Sequence, residues 1–245
     1  MGSPSLSWFL LATFMACSSC LLDFPSVVAA DPTDGFDPVP LTDSNLAFQK
    51  PYDVPLQKRY SFVDGVRRFW VYSNDKSYKP DSPTHPRTEI RIKGYDYSSG
   101  IWQFEGDLFV PQNTTGVAVM QIHRANGDEP ATTLMLMVFD GELRFYSGSR
   151  VVESDIYNRW MKLNVIHDVV NNKHTIYIDG IQKLEVEGKG SDQDIIFLTL
   201  SAICHPSSNS LVWRDDQLIL TEKILQQPFG VQHLRAGPTV TARHT

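Results

Sequence analysis

The chain has 245 residues, of which 42% are hydrophobic, and it carries a formal net charge of −6 at pH 7. A chain of this length and composition can bury a sizeable hydrophobic core. The acidic balance argues against nucleic acid or an anionic membrane as the main partner, so any site for an anion must be a local basic cleft.

The first 30 residues have the pattern of a secretory signal peptide. Trp8–Leu22 is mostly apolar and carries no charge, and Val28-Ala29-Ala30 places small residues where cleavage is expected. The apolar run is shorter than the roughly 20 residues that a membrane-spanning helix needs. We therefore expect cleavage before Asp31, no membrane span, and entry into the secretory pathway.

Cysteine usage predicts a mature protein without an intrachain disulfide. Cys17 and Cys20 leave with the signal peptide, and only Cys204 remains. Asn113-Thr114-Thr115 is an N-glycosylation sequon. We expect Asn113 to be glycosylated, because the secretory route makes the sequon usable.

Three Asp-Gly pairs predict tight hairpins, because both central residues of the favoured two-residue turn need positive φ. The pairs are Asp64-Gly65, Asp140-Gly141 and Asp179-Gly180. The predicted partners around them are Tyr60–Val63 with Arg68–Tyr72, Leu134–Phe139 with Glu142–Tyr146, and Thr175–Ile178 with Ile181–Val186. A fourth, looser turn is predicted at Asn126-Gly127.

Alternation of apolar and polar residues indicates strands that are half buried. Trp102, Phe104, Leu108 and Val110 form a predicted core face, whereas Gln103, Glu105 and Asp107 form the opposite face. We interpret the second face as a solvated surface, with a cleft lining as the alternative. Many strands with tight turns predict an all-β fold of two packed sheets. Residues 74–86, rich in Lys, Pro, Ser and Asp, are predicted to form a loop that leads into the strand at Arg87.

Two short segments carry the chemistry: Arg87-Thr88-Glu89-Ile90-Arg91 and Gln121-Ile122-His123. In a strand, alternate side chains share a face. Arg87, Glu89 and Arg91 then lie on one face, and Gln121 and His123 share another. If both faces line one cleft, the converging groups suit a ligand that carries carboxylates.

Each segment also has a purely structural interpretation. Arg87, Glu89 and Arg91 could form an ion-pair ladder that stabilises the sheet. His123 could be a histidine hydrogen-bonded within the sheet, or a base whose pKa lies near working pH, with Gln121 and Arg91 neutralising a substrate carboxylate. The other histidines, at positions 85, 167, 174 and 205, show no metal-ligand spacing, and the sequence gives no reason to expect a metal or a cofactor.

These motifs resemble the plant citrate-binding protein family and, more distantly, the alginate lyases of polysaccharide lyase family seven. The similarity runs from Asp31 to Gly190 and includes Gln49–Asp53, Phe69–Tyr72, Pro80–Thr84, Trp102–Gly106, Val119–Ile122, Asp155–Asn158 and Asn164–His167. The resemblance implies a concanavalin-like β-jelly roll of two antiparallel sheets. It also implies binding of citrate or a similar polycarboxylate and a location in the vacuole, with the cell exterior as the alternative.

The resemblance ends near residue 191. The family's next strand carries Tyr-Phe-Lys-x-Gly-x-Tyr, from which the lyases take their catalytic tyrosine, whereas this chain has Ile195–Leu200 and no tyrosine after residue 200. We predict a signal peptide at 1–30, a jelly-roll domain at 31–200, and an irregular, loosely packed tail at 201–245. Ile195–Leu200 and Leu218–Leu220 are the segments that could still pair as strands.

Three functions follow as hypotheses. The first is a binding protein for a polycarboxylate or acidic oligosaccharide, with contacts from Arg87, Glu89, Arg91, Gln121 and His123. The second is a lyase that cleaves an acidic glycan by β-elimination, which would need Tyr146, Tyr157 or Tyr177 beside His123 as proton donor. We expect no such activity. The third is a protein that binds cell-wall glycans through exposed aromatic residues such as Trp70 or Tyr95.

Overall fold

A computed structural model describes residues 31–39, 41–124 and 131–189 with their side chains, and the backbone of 196–204 and 218–228. The predicted signal peptide, the predicted turn at Asn126-Gly127, His205 and the last 17 residues lie outside the described residues.

The described chain is almost entirely β-strand, with two short 3-10 turns at Asp43–Asn45 and Leu56–Lys58. The strands are β1 Phe36–Pro38, β2 Leu46–Gln49, β3 Tyr60–Val63, β4 Val66–Phe69, β5 Arg87–Ile92, β6 Ile101–Phe109, β7 Val117–Arg124, β8 Thr132–Phe139, β9 Glu142–Phe145, β10 Val151–Glu153, β11 Trp160–Asp168, β12 Lys173–Ile178, β13 Ile181–Glu187, β14 Ile196–Cys204 and β15 Leu218–Pro228.

These strands form two antiparallel sheets, which confirms the predicted jelly roll. Sheet A has the order β13-β12-β11-β6-β15-β4-β3, with β1 also paired to β15. Sheet B has the order β10-β9-β8-β7-β14-β5-β2. Strands distant in sequence lie side by side in both sheets, so the fold brings β5 and β7 to the two sides of one strand, β14.

The three Asp-Gly hairpins are confirmed. The pairs join β3 to β4, β8 to β9 and β12 to β13. The aspartates have φ between 48° and 52°, and the glycines between 78° and 86°. Aspartate and glycine tolerate this left-handed conformation, whereas β-branched residues do not, so these pairs set the register of the flanking strands.

The core lies between the sheets, and β6 shows how the sequence builds it. Phe104, Leu108 and Val110 are at most 4% exposed, as the alternation predicts. The predicted solvated face of β6 is wrong for Gln103 and Glu105, which are 0% and 7% exposed. The neighbouring strand β11 is one reason: its Asn164 pairs in register with Glu105 and donates a hydrogen bond of 3.0 Å to Oε2 of that residue.

The C-terminal strands complete both sheets. β14 lies between β5 and β7, and β15 lies between β4 and β6. The prediction that Ile195–Leu200 and Leu218–Leu220 pair as strands is confirmed, and both strands are longer than predicted. The predicted domain boundary at residue 200 therefore falls inside β14, while the packing of the tail stays a prediction.

A stacked pair of histidines joins the core layers. The rings of His167 and His174 lie 4.2 Å apart, centroid to centroid. The Tyr97 hydroxyl lies 2.9 Å from Nδ1 of His167, and Thr133 Oγ1 lies 2.7 Å from Nε2 of His174. Burial lowers the pKa of His167 to about 4, against a smaller opposite effect of Asp168, and lowers the pKa of His174 well below its usual value.

This pair predicts a loss of stability in mild acid. Above pH 6.5 His167 is neutral in both the folded and the unfolded chain. As pH falls from 6.5 to about 4, the unfolded chain takes up a proton that the folded chain excludes. At about pH 5 this difference lowers the free energy of unfolding by about 2 kcal/mol. Urea denaturation of wild type and His167→Gln at about pH 7 and at about pH 5 measures this decrease. The variant should lose about 2 kcal/mol less on acidification, and equal losses would contradict the account.

Candidate polycarboxylate site

The two polar motifs lie on one face of sheet B, opposite the core. Ile90 and Ile92 of β5 and Ile122 of β7 are buried in the core, so the alternate residues point the other way. We call these residues the polar site: Arg87, Glu89, Arg91, Gln121 and His123. In the strand between them, Thr199 pairs in register with both Arg91 and Gln121, and the motifs are two strand spacings, roughly 10 Å, apart.

The predicted ion-pair ladder is only half formed. Arg87 Nη1 lies 3.3 Å from Glu89 Oε1, but Arg91 pairs with Asp96 at 2.7 Å. Glu89 Oε2 has no hydrogen-bond partner in the described part of the chain. Burial raises the pKa of Glu89, and the neighbouring Arg87 opposes this effect. Glu89 thus pairs with one arginine of the motif and not with both. Arg91 pairs instead with Asp96, and both of these side chains are partly exposed.

The pKa of His123 reflects its burial and the positive charges around it. Burial lowers its pKa to about 4, and the positive charges of Arg87 and Arg91 add to the decrease. Both guanidinium groups therefore act on the imidazole from across β14. His123 is neutral near pH 7, so its ring offers one hydrogen-bond donor and one acceptor.

Gln121, on the same strand as His123, supplies a hydrogen-bond donor that no described residue uses. Its side chain is 3% exposed, and its Nε2 has no hydrogen-bond partner among the described residues. An unpartnered buried amide costs roughly 1–3 kcal/mol. An anionic oxygen near Gln121 would recover that cost and would also meet the field of the two arginines.

The loop over residues 74–86 adds an aromatic residue that the sequence interpretation missed. The Tyr78 ring centroid lies 5.4 Å from the guanidinium carbon of Arg87. Asp75 fixes the start of this loop through two hydrogen bonds from Arg59, at 2.7 and 2.6 Å. A cation–π contact gives no sequence signal, because Tyr78 and Arg87 belong to different elements.

Of the three tyrosines considered as proton donors, Tyr146 reaches the neighbourhood of His123. Its hydroxyl donates to the carbonyl of Thr132 at 2.8 Å and lies 2.9 Å from Oγ1 of the same residue. Thr132 pairs in register with His123. The Tyr157 hydroxyl instead bonds the carbonyl of Thr114, and Tyr177 lies on β12 of the other sheet.

The aromatic residues considered for glycan binding do not form an exposed platform. Tyr95 packs against the main core, and Trp70 is partly buried. Asn113 is exposed, with φ of 69°, in the turn after β6. Its glycosylation stays a prediction.

No group of three or more His, Cys, Asp or Glu in the described ranges could hold a metal ion. Within those ranges, no helix has the length and apolarity that a membrane crossing requires.

Known proteins resemble this chain over most of its length. A citrate-binding protein from Hevea brasiliensis is 49% identical over 200 residues, which are 81% of this chain and 83% of that protein. A family profile described as alginate lyase matches residues 39–208.

Solved alginate lyases share the fold. An alginate lyase from Pseudomonas aeruginosa superposes with a TM-score of 0.59 at 14% identity, over 76% of this chain and 100% of that chain. The family 7 alginate lyase A1-II', in complex with its substrate GGMG, gives a TM-score of 0.57 at 15% identity, over 84% of this chain and 100% of that chain. At this identity the likeness shows the fold alone. The profile match and the 49% identical relative together show that the chain belongs to the alginate lyase family (Alginate_lyase2).

Proposed function

We propose that the protein binds citrate or a similar polycarboxylate, after entering the secretory pathway, in the vacuole or outside the cell. The observation that carries the proposal is the environment of His123. Two guanidinium groups act on a buried, neutral imidazole, and the strand that carries this imidazole also presents a buried amide donor without a partner in the described chain. Such a site combines positive charge with a hydrogen-bond donor that an anionic oxygen can use.

The spacing of the groups suits a small ligand with several carboxylates. Arg87 and Arg91 flank Glu89 on β5, and neighbours on one strand face are roughly 6–7 Å apart, so the two arginines are separated by twice that distance. One carboxylate can sit between Arg91 and Gln121, which pair with the same residue of β14, and a second can reach towards His123, whose partner lies two positions along that strand. Burial favours the protonated form of Glu89 by raising its pKa, which reduces its repulsion of an anion.

The relative from Hevea brasiliensis supports this choice of ligand, because its name records citrate binding. Its identity to this chain is high enough that the two share a family. The two arginines also favour a ligand with carboxylates. Guanidinium groups bind carboxylates through parallel hydrogen bonds, which give geometric selectivity as well as affinity.

Calorimetry with citrate and the cleaved protein tests the proposal. Arg91→Ala should weaken binding at least tenfold, which corresponds to about 1.4 kcal/mol, because it removes a charge-assisted contact. Arg159→Ala is the matched control, since Arg159 is a partly exposed arginine paired with Asp179 and Glu153 rather than with the polar site. Its affinity should equal that of wild type. Absence of binding heat in wild type would reject the proposal.

Unfolding free energies separate a ligand site from a structural ladder. Arg87→Ala should cost about 3 kcal/mol, because it leaves the buried Glu89 carboxylate without its partner. Arg91→Ala should cost less than about 1 kcal/mol, since its pair with Asp96 is partly exposed. If both variants lost the same large amount of unfolding free energy, the motif would be a structural ladder. The weaker citrate binding of Arg91→Ala would then reflect destabilisation of the fold and not the loss of a ligand contact.

A lyase that cleaves an acidic glycan by β-elimination is the second candidate, and Tyr146 favours it. Its hydroxyl is bonded to the residue that pairs with His123. Three features oppose the assignment. The hydroxyl already donates to a carbonyl, and burial raises the pKa of Tyr146, which makes it a weaker acid. The strand between the motifs, β14, contains no tyrosine.

We therefore expect no lyase activity, because a missing acid typically costs 10²–10⁴-fold in rate, roughly 3–5 kcal/mol. The measurement is absorbance from new unsaturated uronate ends during incubation with alginate, glucuronan or pectate. A strong rise in wild type that disappears in both His123→Ala and Tyr146→Phe, but persists in the control Tyr177→Phe, would establish the enzyme instead.

A further inference from the structure

An apolar strip continues the face that carries the polar site. Ala118 and Met137 form a cluster separate from the main core, with Met135 and Phe139 packed against it. We call these four residues the apolar strip. Met135 pairs in register with Gln121, and Met137 pairs with Ala118. Because paired residues of antiparallel strands share a face, the strip begins directly beside the polar site.

Only part of the strip is accessible. Ala118 and Met137 are buried, at 0% and 3% exposed, while Met135 and Phe139 are partly exposed. The far side is closed by Arg144, which pairs in register with Met137 and lies 5.8 Å from the Phe139 ring centroid.

The arginine that closes the strip is already neutralised. Arg144 makes contacts of 2.8 and 2.6 Å with Glu142. Along this face, the two arginines are therefore followed by the amide of Gln121, which is unpartnered among the described residues. The thioether of Met135 and the phenyl ring of Phe139 come next, and the ion pair between Arg144 and Glu142 ends the strip.

We propose that the preferred ligand of this site is a carboxylate with an aryl arm, anchored at the polar site with its ring on Met135 and Phe139. This inference rests on the carboxylate-binding function proposed above and specifies its ligand class. A ligand that is polar throughout would leave the apolar strip uncovered. An aryl ring would gain contacts with the thioether and the phenyl ring.

The distances fit a small aryl carboxylate. β7 and β8 are adjacent, so Gln121 and Met135 are separated by one strand spacing, roughly 5 Å. A carboxylate bound at Gln121 and Arg91 therefore places a substituent on the adjacent carbon within reach of Met135. Methionine side chains adapt to such rings because they are unbranched and polarisable.

The test compares succinate with 2-phenylsuccinate by calorimetry on the cleaved protein, since this pair differs by one phenyl group. Wild type should bind phenylsuccinate about tenfold more tightly. Met135→Ala and Phe139→Ala should each lose most of that preference while their affinity for succinate stays unchanged. Phe62→Ala is the matched control, because Phe62 is a 50% exposed phenylalanine on β3 of the other sheet, and it should keep the full preference.

The outcomes distinguish this inference from the function on which it rests. Equal affinity for both probes, or a preference that survives in both strip variants, would overturn the aryl ligand and leave carboxylate binding intact. Tighter binding of an oligouronate than of phenylsuccinate would also overturn it, in favour of sugar rings on the strip. No binding of succinate, citrate or phenylsuccinate would reject both proposals. Circular dichroism of each variant establishes that the fold is retained.

Discussion

β14 lies between β5 and β7, and the polar site depends on that insertion. The strand separates two arginines from a histidine and an amide by roughly 10 Å, which is wide enough for a small anion and narrow enough for the charges to act on His123. It also completes the backbone hydrogen bonding of sheet B, as β15 does for sheet A. The segment after residue 190 thus supplies an interior strand to each sheet.

Buried polar atoms without hydrogen-bond partners in the described chain make the polar site unfavourable for stability. Gln121 and Glu89 each carry a buried polar atom that has no hydrogen-bond partner among the described residues, and such atoms are costly unless a ligand satisfies them. Burial and two cations disfavour the charged form of His123 and keep the ring neutral well below its usual pKa of 6.5. In the core, His167 and His174 are each hydrogen-bonded through one ring nitrogen, to Tyr97 and Thr133, and Nδ1 of His174 has no partner among the described residues.

Local patterns in the sequence predicted the hairpins, the alternating strands and the shared face of each motif, because turn chemistry and strand periodicity are local properties. Features that arise across strands were missed. Burial of Gln103 and Glu105 depends on neighbouring strands, and the approach of Tyr146 to Thr132 depends on the pairing of β8 with β7. The apolar strip was visible as a Met-Leu-Met alternation, but only the register places it beside Gln121.

Titration of the His123 ring by NMR, with and without citrate, tests the central claim most directly. With a pKa of about 4 in the free protein, His123 should show almost no titration between about pH 5 and 8. Bound citrate should offset the charges of Arg87 and Arg91, raise the pKa of His123, and bring its titration into that range. A free-protein pKa near the usual value, or a titration that saturating citrate leaves unchanged, would contradict the account.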